Sequence, residues 1–201
     1  SPSSAASDVY KRQRQFIDHD QGIISVDDIG LNFNDISKVH LIACGTAYYS
    51  CLVAKYYFEQ YARLPVECDM ASEFRYRDPV LDNKALYIFV SQSGETADTK
   101  AALDYCKDAK VRTLSIVNVM NSSIARESDY CLYTKAGAEI GVASTKAFTA
   151  QLSVLLSMAL HCGTKNNNVT IEQNRQICKE IMQAPQILEK TIKRSYELKE
   201  T

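Results

Sequence analysis

The residues best suited to chemistry are Ser91, Ser93 and Thr96, set around Gly94 in the run Ser91-Gln92-Ser93-Gly94-Glu95-Thr96. Their hydroxyls can donate to or accept from an oxygen-rich ligand, and the glycine lets the backbone approach it closely. The flanks say where this turn stands. Residues 85–90 are apolar and rich in β-formers, which predicts a buried strand. Residues 97–107 place Ala97, Ala101, Ala102 and Tyr105 on one helical face. Hydroxyls at a strand-to-helix junction meet unpaired helix amides and the positive end of the helix dipole, an arrangement that holds phosphate. The alternative is that Ser93 or Thr96 merely caps the helix, for which one such residue suffices.

Two further glycine turns fall on the same predicted sheet edge. Cys44-Gly45-Thr46-Ala47 closes a strand over 39–44, and Glu139-Ile140-Gly141-Val142-Ala143-Ser144-Thr145-Lys146 leads from a strand over 130–134 into a long helix. Thr46 and Ser144 add hydroxyls, while Gly45 and Gly141 permit tight turns. Lys146 has two readings, a phosphate partner or a structural lysine bonded to Glu139 or Glu95. Glu95 is either a base or an acidic residue favoured in a first helical turn. The run Asn121-Ser122-Ser123 either touches the ligand or only caps a helix, the cap being the favoured reading, and Cys44 reads as a packing residue rather than a nucleophile. There is no Walker lysine motif, no GxGxxG and no Ser-His-Asp or Cys-His arrangement. No catalytic residue, cofactor or metal is therefore assigned, and the expected ligand is a small phosphorylated polyol.

These turns need a scaffold, and the chain supplies one by alternation. Strands are predicted over 39–44, 66–70, 85–90, 113–117 and 130–134. Helices are predicted over 47–62, 71–76, 97–107, 122–127 and 144–161, the last ended by Gly163. A further helix is expected over 171–199 despite Pro185. The fold class is α/β, a three-layer doubly wound domain with a mainly parallel five-stranded sheet. Ligands of such sheets collect at the carboxyl ends of the strands, near a switch in strand order. Residues 1–13 look like an adaptor or a disordered lead, and 14–37 like a linker with one short helix.

The bulk properties set bounds. A chain of 201 residues can bury a real core, and its net charge of −1 with no basic stripe speaks against nucleic acid. No apolar run reaches the ~18 residues of a membrane span, and no apolar stretch opens the chain as in a secretory signal. The seven cysteines form no CxxC pair, and His19, His40 and His161 stand apart in sequence. Free thiols of this kind fit a reducing cytoplasm.

The four runs Cys44-Gly45-Thr46-Ala47-Tyr48, Ala71-Ser72-Glu73-Phe74-Arg75-Tyr76-Arg77, Ser91 to Thr99 and Glu139 to Thr149 resemble, in order, the first sugar-isomerase (SIS) domain of the isomerising glutamine–fructose-6-phosphate aminotransferases, the glucosamine-6-phosphate synthases. The resemblance implies that Ser91, Gln92, Ser93 and Thr96 hold a sugar 6-phosphate. It implies that Gly45, Thr46 and Ala47, with Val142, Ala143 and Ser144, line the sugar. Ala47 stands where that family often has serine, so only its amide remains for contact. A sugar-phosphate domain over 38–163 and a helical connector over 164–201 follow. The resemblance also implies a glutaminase domain and a second SIS domain as partners, a homodimer, and catalytic groups outside this chain. A non-catalytic sugar-phosphate sensor and a stand-alone phosphosugar isomerase are the competing readings.

Overall fold

The computed structural model describes residues 14–26, 29–137 and 146–197. The N-terminal lead and the centre of the third glycine turn, with Gly141, Val142, Ala143 and Ser144, lie outside the described residues. A short antiparallel ribbon, β1 (Ile17–Asp18) and β2 (Ile23–Ile24), precedes five strands. These are β3 (Lys38–Ala43), β4 (Val66–Met70), β5 (Ala85–Ser91), β6 (Arg112–Val117) and β7 (Tyr130–Tyr133), each within one residue of its expected bounds. They form one parallel sheet in the order β4-β3-β5-β6-β7, with Val39 beside Leu86 and Val117 beside Tyr133.

Successive side chains of a strand point to opposite faces, and here both faces are covered. Leu86, Ile88 and Val90 of β5 meet Cys51, Ala54, Val154, Leu155 and Met158 from α1 (Gly45–Tyr57) and α5 (Lys146–Lys165). Tyr87 and Phe89 meet Phe74, Leu103 and Ile124 from α2 (Ala71–Arg77), α3 (Ala97–Asp108) and α4 (Ser123–Glu127). That double burial is why the strands read as continuous apolar runs rather than alternating ones. The thiols follow the same logic: burial pushes Cys106 and Cys162 up to about 12.

Three features depart from the sequence reading. Gly163 does not end α5, which continues to Lys165. A Cβ at position 163 would stand 2.3 Å from the Tyr61 carbonyl oxygen and 2.8 Å from Val169 Cγ2. The glycine therefore serves a close crossing with the π turn Phe58–Ala62 that extends α1. Secondly, α5 is long and apolar enough to cross a membrane by length and composition, although no uninterrupted apolar run announces it. Within this fold 67 % of its most apolar stretch is buried, packed against α1 and the π turn. Thirdly, the segment 14–37 contributes Phe16, Ile24, Val26, Phe33 and Ile36 to the core. Buried Asn174, on α6 (Ile171–Glu197), accepts from the Ile24 amide at 2.7 Å and donates to the Ile24 carbonyl at 3.0 Å. Nδ1 of His161 accepts from the Val26 amide at 3.1 Å, which accounts for that histidine as a packing residue.

Candidate functional site

The chain leaves β3 toward β4 on one side and leaves β5 toward β6 on the other, so the strand order reverses between β3 and β5. Such a reversal opens a crevice beyond the carboxyl ends of the two strands. Gly45, Thr46 and Ala47 open α1 beside β3, and Ser91 to Thr96 join β5 to α3. The N-cap residues of these helices, Cys44 and Thr96, make no side-chain cap bond. Two helix N-termini thus face the crevice without the usual capping side chain over their amides.

The Ser91–Thr96 turn is organised by its own hydroxyls. Ser91 Oγ accepts from the Gly94 amide at 3.0 Å and lies 2.9 Å from Thr96 Oγ1. Ser93 Oγ accepts from the Glu95 amide at 3.1 Å. A hydroxyl that accepts a bond still has its one proton to donate. One of the Ser91–Thr96 pair spends that proton on the other, so the preshaped turn keeps one O–H of this pair and that of Ser93 for an anion. Gly94 has φ +67°, and a Cβ there would fall 2.0 Å from Ser122 Oγ. The Gly94 carbonyl accepts from the Ile124 amide at 3.1 Å, tying the turn to α4.

Glu95 and Cys44 have structural partners. The Glu95 carboxylate accepts from the Ser123 amide at 2.7 Å, and that bond holds its pKa below the usual carboxylate range. It caps the neighbouring helix rather than waiting as a base. Cys44 packs beside the α2–α3 core, with Thr99 Oγ1 at 3.9 Å from its sulfur. Lys146 is the first residue of α5, while Glu139 lies outside the described residues.

Two further residues brace the turn, and of these only Asn118 was missed by sequence. Ser122, read as a cap, makes no side-chain cap bond. Its buried Oγ has no hydrogen-bond partner among the described residues and packs against Gly94 instead. Asn118, just past β6, donates its amide to the Gln92 carbonyl at 3.1 Å. Its only sequence signal is a polar residue at the carboxyl end of an apolar strand.

Comparison with known proteins fits this geometry. Residues 32–161 match the SIS domain family. The chain is 47 % identical over 178 residues to a Brucella abortus protein called glutamine–fructose-6-phosphate aminotransferase (isomerizing), covering 89 % of this chain and 29 % of that one. It is 51 % identical over 157 residues to a Bradyrhizobium diazoefficiens protein of the same name, covering 78 % and 26 %. It superposes with a TM-score of 0.91, at 37 % identity, on the C-terminal domain of glucosamine-fructose-6-phosphate aminotransferase from Francisella tularensis, covering 98 % of this chain and 56 % of that one. The chain thus spans 29 % or less of the length of these two curated relatives. The matched range takes in both glycine turns of the crevice and the whole five-stranded sheet: the chain belongs to the SIS domain family.

Proposed function

We propose that this chain is the first sugar-isomerase domain of a glutamine-dependent glucosamine-6-phosphate synthase, and that it binds fructose 6-phosphate as substrate and glucosamine 6-phosphate as product. The observation that carries the reading is the Ser91–Thr96 turn, preshaped by its own hydroxyls and set at the switch point with two helix N-termini. In this reading the 6-phosphate takes hydrogen bonds from the Ser93 hydroxyl, from whichever of Ser91 and Thr96 keeps its proton, and from the amides that the turn does not use itself, Gln92 included. Charge-assisted bonds of this kind are the strong ones, and the helix dipoles add to them. Gly45, Thr46 and Ala47 line the sugar, as do Val142, Ala143 and Ser144. The domain over 38–163 supplies binding and orientation. Residues 164–201 connect it to a second SIS domain, and a glutaminase domain and a second protomer complete a cytoplasmic enzyme. The short coverage of the aminotransferase relatives supports such further domains.

Isothermal titration with glucosamine 6-phosphate, with glucosamine as control, tests the reading. Wild type binds the phosphorylated sugar and not glucosamine. Ser93→Ala weakens binding about tenfold or more, the scale of one hydrogen bond to a charged group. Equal affinity of the two proteins would reduce the turn to a helix cap.

A further inference from the structure

We infer that Asn118 is a positioning residue that fixes the phosphate turn against the segment leading into the sugar-lining turn, an inference that rests on the phosphosugar reading above. Asn118 follows β6, which lies between β5, bearing the phosphate turn, and β7, leading to residues 134–137. It grips both neighbours. Its backbone amide donates to the Gln92 carbonyl at 3.1 Å, inside the phosphate turn. Its side chain reaches the other way. Oδ1 accepts from Thr134 Oγ1 at 3.1 Å and from the Ala136 amide at 2.5 Å, while Nδ2 donates to the Gly137 carbonyl at 2.9 Å.

The partners dictate the amide's orientation, because an N–H needs the oxygen and a carbonyl needs the NH₂. Both lone-pair directions of Oδ1 are therefore used, and one Nδ2 proton as well. Aspartate would keep the two acceptor contacts but would present a carboxylate oxygen to the Gly137 carbonyl. Thr134 and Ala136 are each 1 % exposed, so this anchor is held in the core. Gly137, with φ +67°, is the last described residue before the turn that carries Val142, Ala143 and Ser144. Asn118 therefore ties the phosphate turn, through its backbone amide, to residues 134–137, through its side chain. Misplacement by ~1 Å at such a site can cost about a hundredfold.

Two measurements on wild type, Asn118→Ala and Asn118→Asp test this. Amide hydrogen exchange of the unliganded chain should show the Ala136 amide exchanging at least about tenfold faster in Asn118→Ala, with the Gly94 amide unchanged, since local opening is read site by site. Titration should show glucosamine 6-phosphate affinity falling about 10- to 100-fold in Asn118→Ala, while inorganic phosphate stays within about twofold. Asn118→Asp should retain the Ala136 protection, because Oδ1 is kept. Unchanged Ala136 exchange in Asn118→Ala, or an equal loss of affinity for both ligands, would overturn the inference. If wild type binds neither ligand while Ala136 exchange still rises in Asn118→Ala, the phosphosugar reading fails and the coupling of the two segments stands.

Discussion

Gly94 and Gly45 both adopt positive φ, +67° and +56°, yet their surroundings differ. Nothing lies within 4 Å of a Cβ built at Gly45, whereas one at Gly94 would meet Ser122 Oγ at 2.0 Å and Ser122 Cβ at 2.5 Å. Alanine at Gly45 should therefore cost only the left-handed backbone penalty of about 1–2 kcal/mol. Alanine at Gly94 should cost that plus overpacking of about 1–3 kcal/mol. Urea unfolding of the two variants compares them directly, and equal losses would show that Ser122 does not brace the turn. The placement of the hydroxyls and Gly94 at a strand-to-helix turn was legible in the sequence because its signal is local: a run of six residues between a strand pattern and a helix pattern. Asn118 was not, because its side-chain partners lie 16 to 19 residues away across the sheet edge. The role of Glu95 was hidden for the same reason, its partner Ser123 lying 28 residues on.

At the scale of elements, the strands were readable because burial on both faces concentrates apolar residues in short runs. The end of α5 was misread because a glycine near a helix end ordinarily marks a stop, and only the close approach of Tyr61 reveals another duty. Alanine in a helix gains about 1 kcal/mol over glycine by propensity. At Gly163 the contact at 2.3 Å should outweigh that gain, giving a net loss of about 1–2 kcal/mol by urea unfolding. A stabilised Gly163→Ala would mean that the crossing yields. The edge of the sheet carries a second prediction. His40 of β3 is buried between the rings of Phe74 and Tyr87, each centroid 5.3 Å away. Its Nε2 lies 2.7 Å from Asp69 on β4, which also takes two bonds at 2.7 Å from Arg77 of α2. Glu67 stands 3.7 Å from the other ring nitrogen and pairs with Lys38. Burial holds the imidazole below its ordinary value despite Asp69 and Glu67. Burial alone would raise Asp69, but its bonds from Arg77 and His40 prevail and hold it low. In acid the folded chain therefore binds fewer protons here than the unfolded one. The His40 contribution is lost as pH falls below about 6.5, and the Asp69 contribution below about 3.9. His40→Gln should flatten the fall of the urea midpoint between pH 7 and 5. An unaltered slope would remove His40 from the account.

At the scale of the whole molecule, alternation of strand and helix patterns foretold the doubly wound sheet. Strand order did the rest by bringing the turns at 45–47 and 91–96 to one crevice. The core role of 14–37 stayed hidden because it depends on Asn174 and His161, which periodicity within that segment cannot register. The same placement bears on turnover. Moving a proton between the first two carbons of an open-chain sugar phosphate needs a base within hydrogen-bond reach of the substrate. Among the described residues, Glu95 is the carboxylate of the Ser91–Thr96 turn, and it already accepts from the Ser123 amide. The isolated 201-residue chain is therefore expected to bind glucosamine 6-phosphate without converting fructose 6-phosphate to glucose 6-phosphate. Proton exchange in deuterated water is the sensitive measurement, since it registers abstraction even where the full isomerisation stalls. Deuterium entering the sugar carbons of fructose 6-phosphate, at a rate abolished by Glu95→Gln or by Glu139→Gln, would place a working base within this domain and make it an isomerase in its own right.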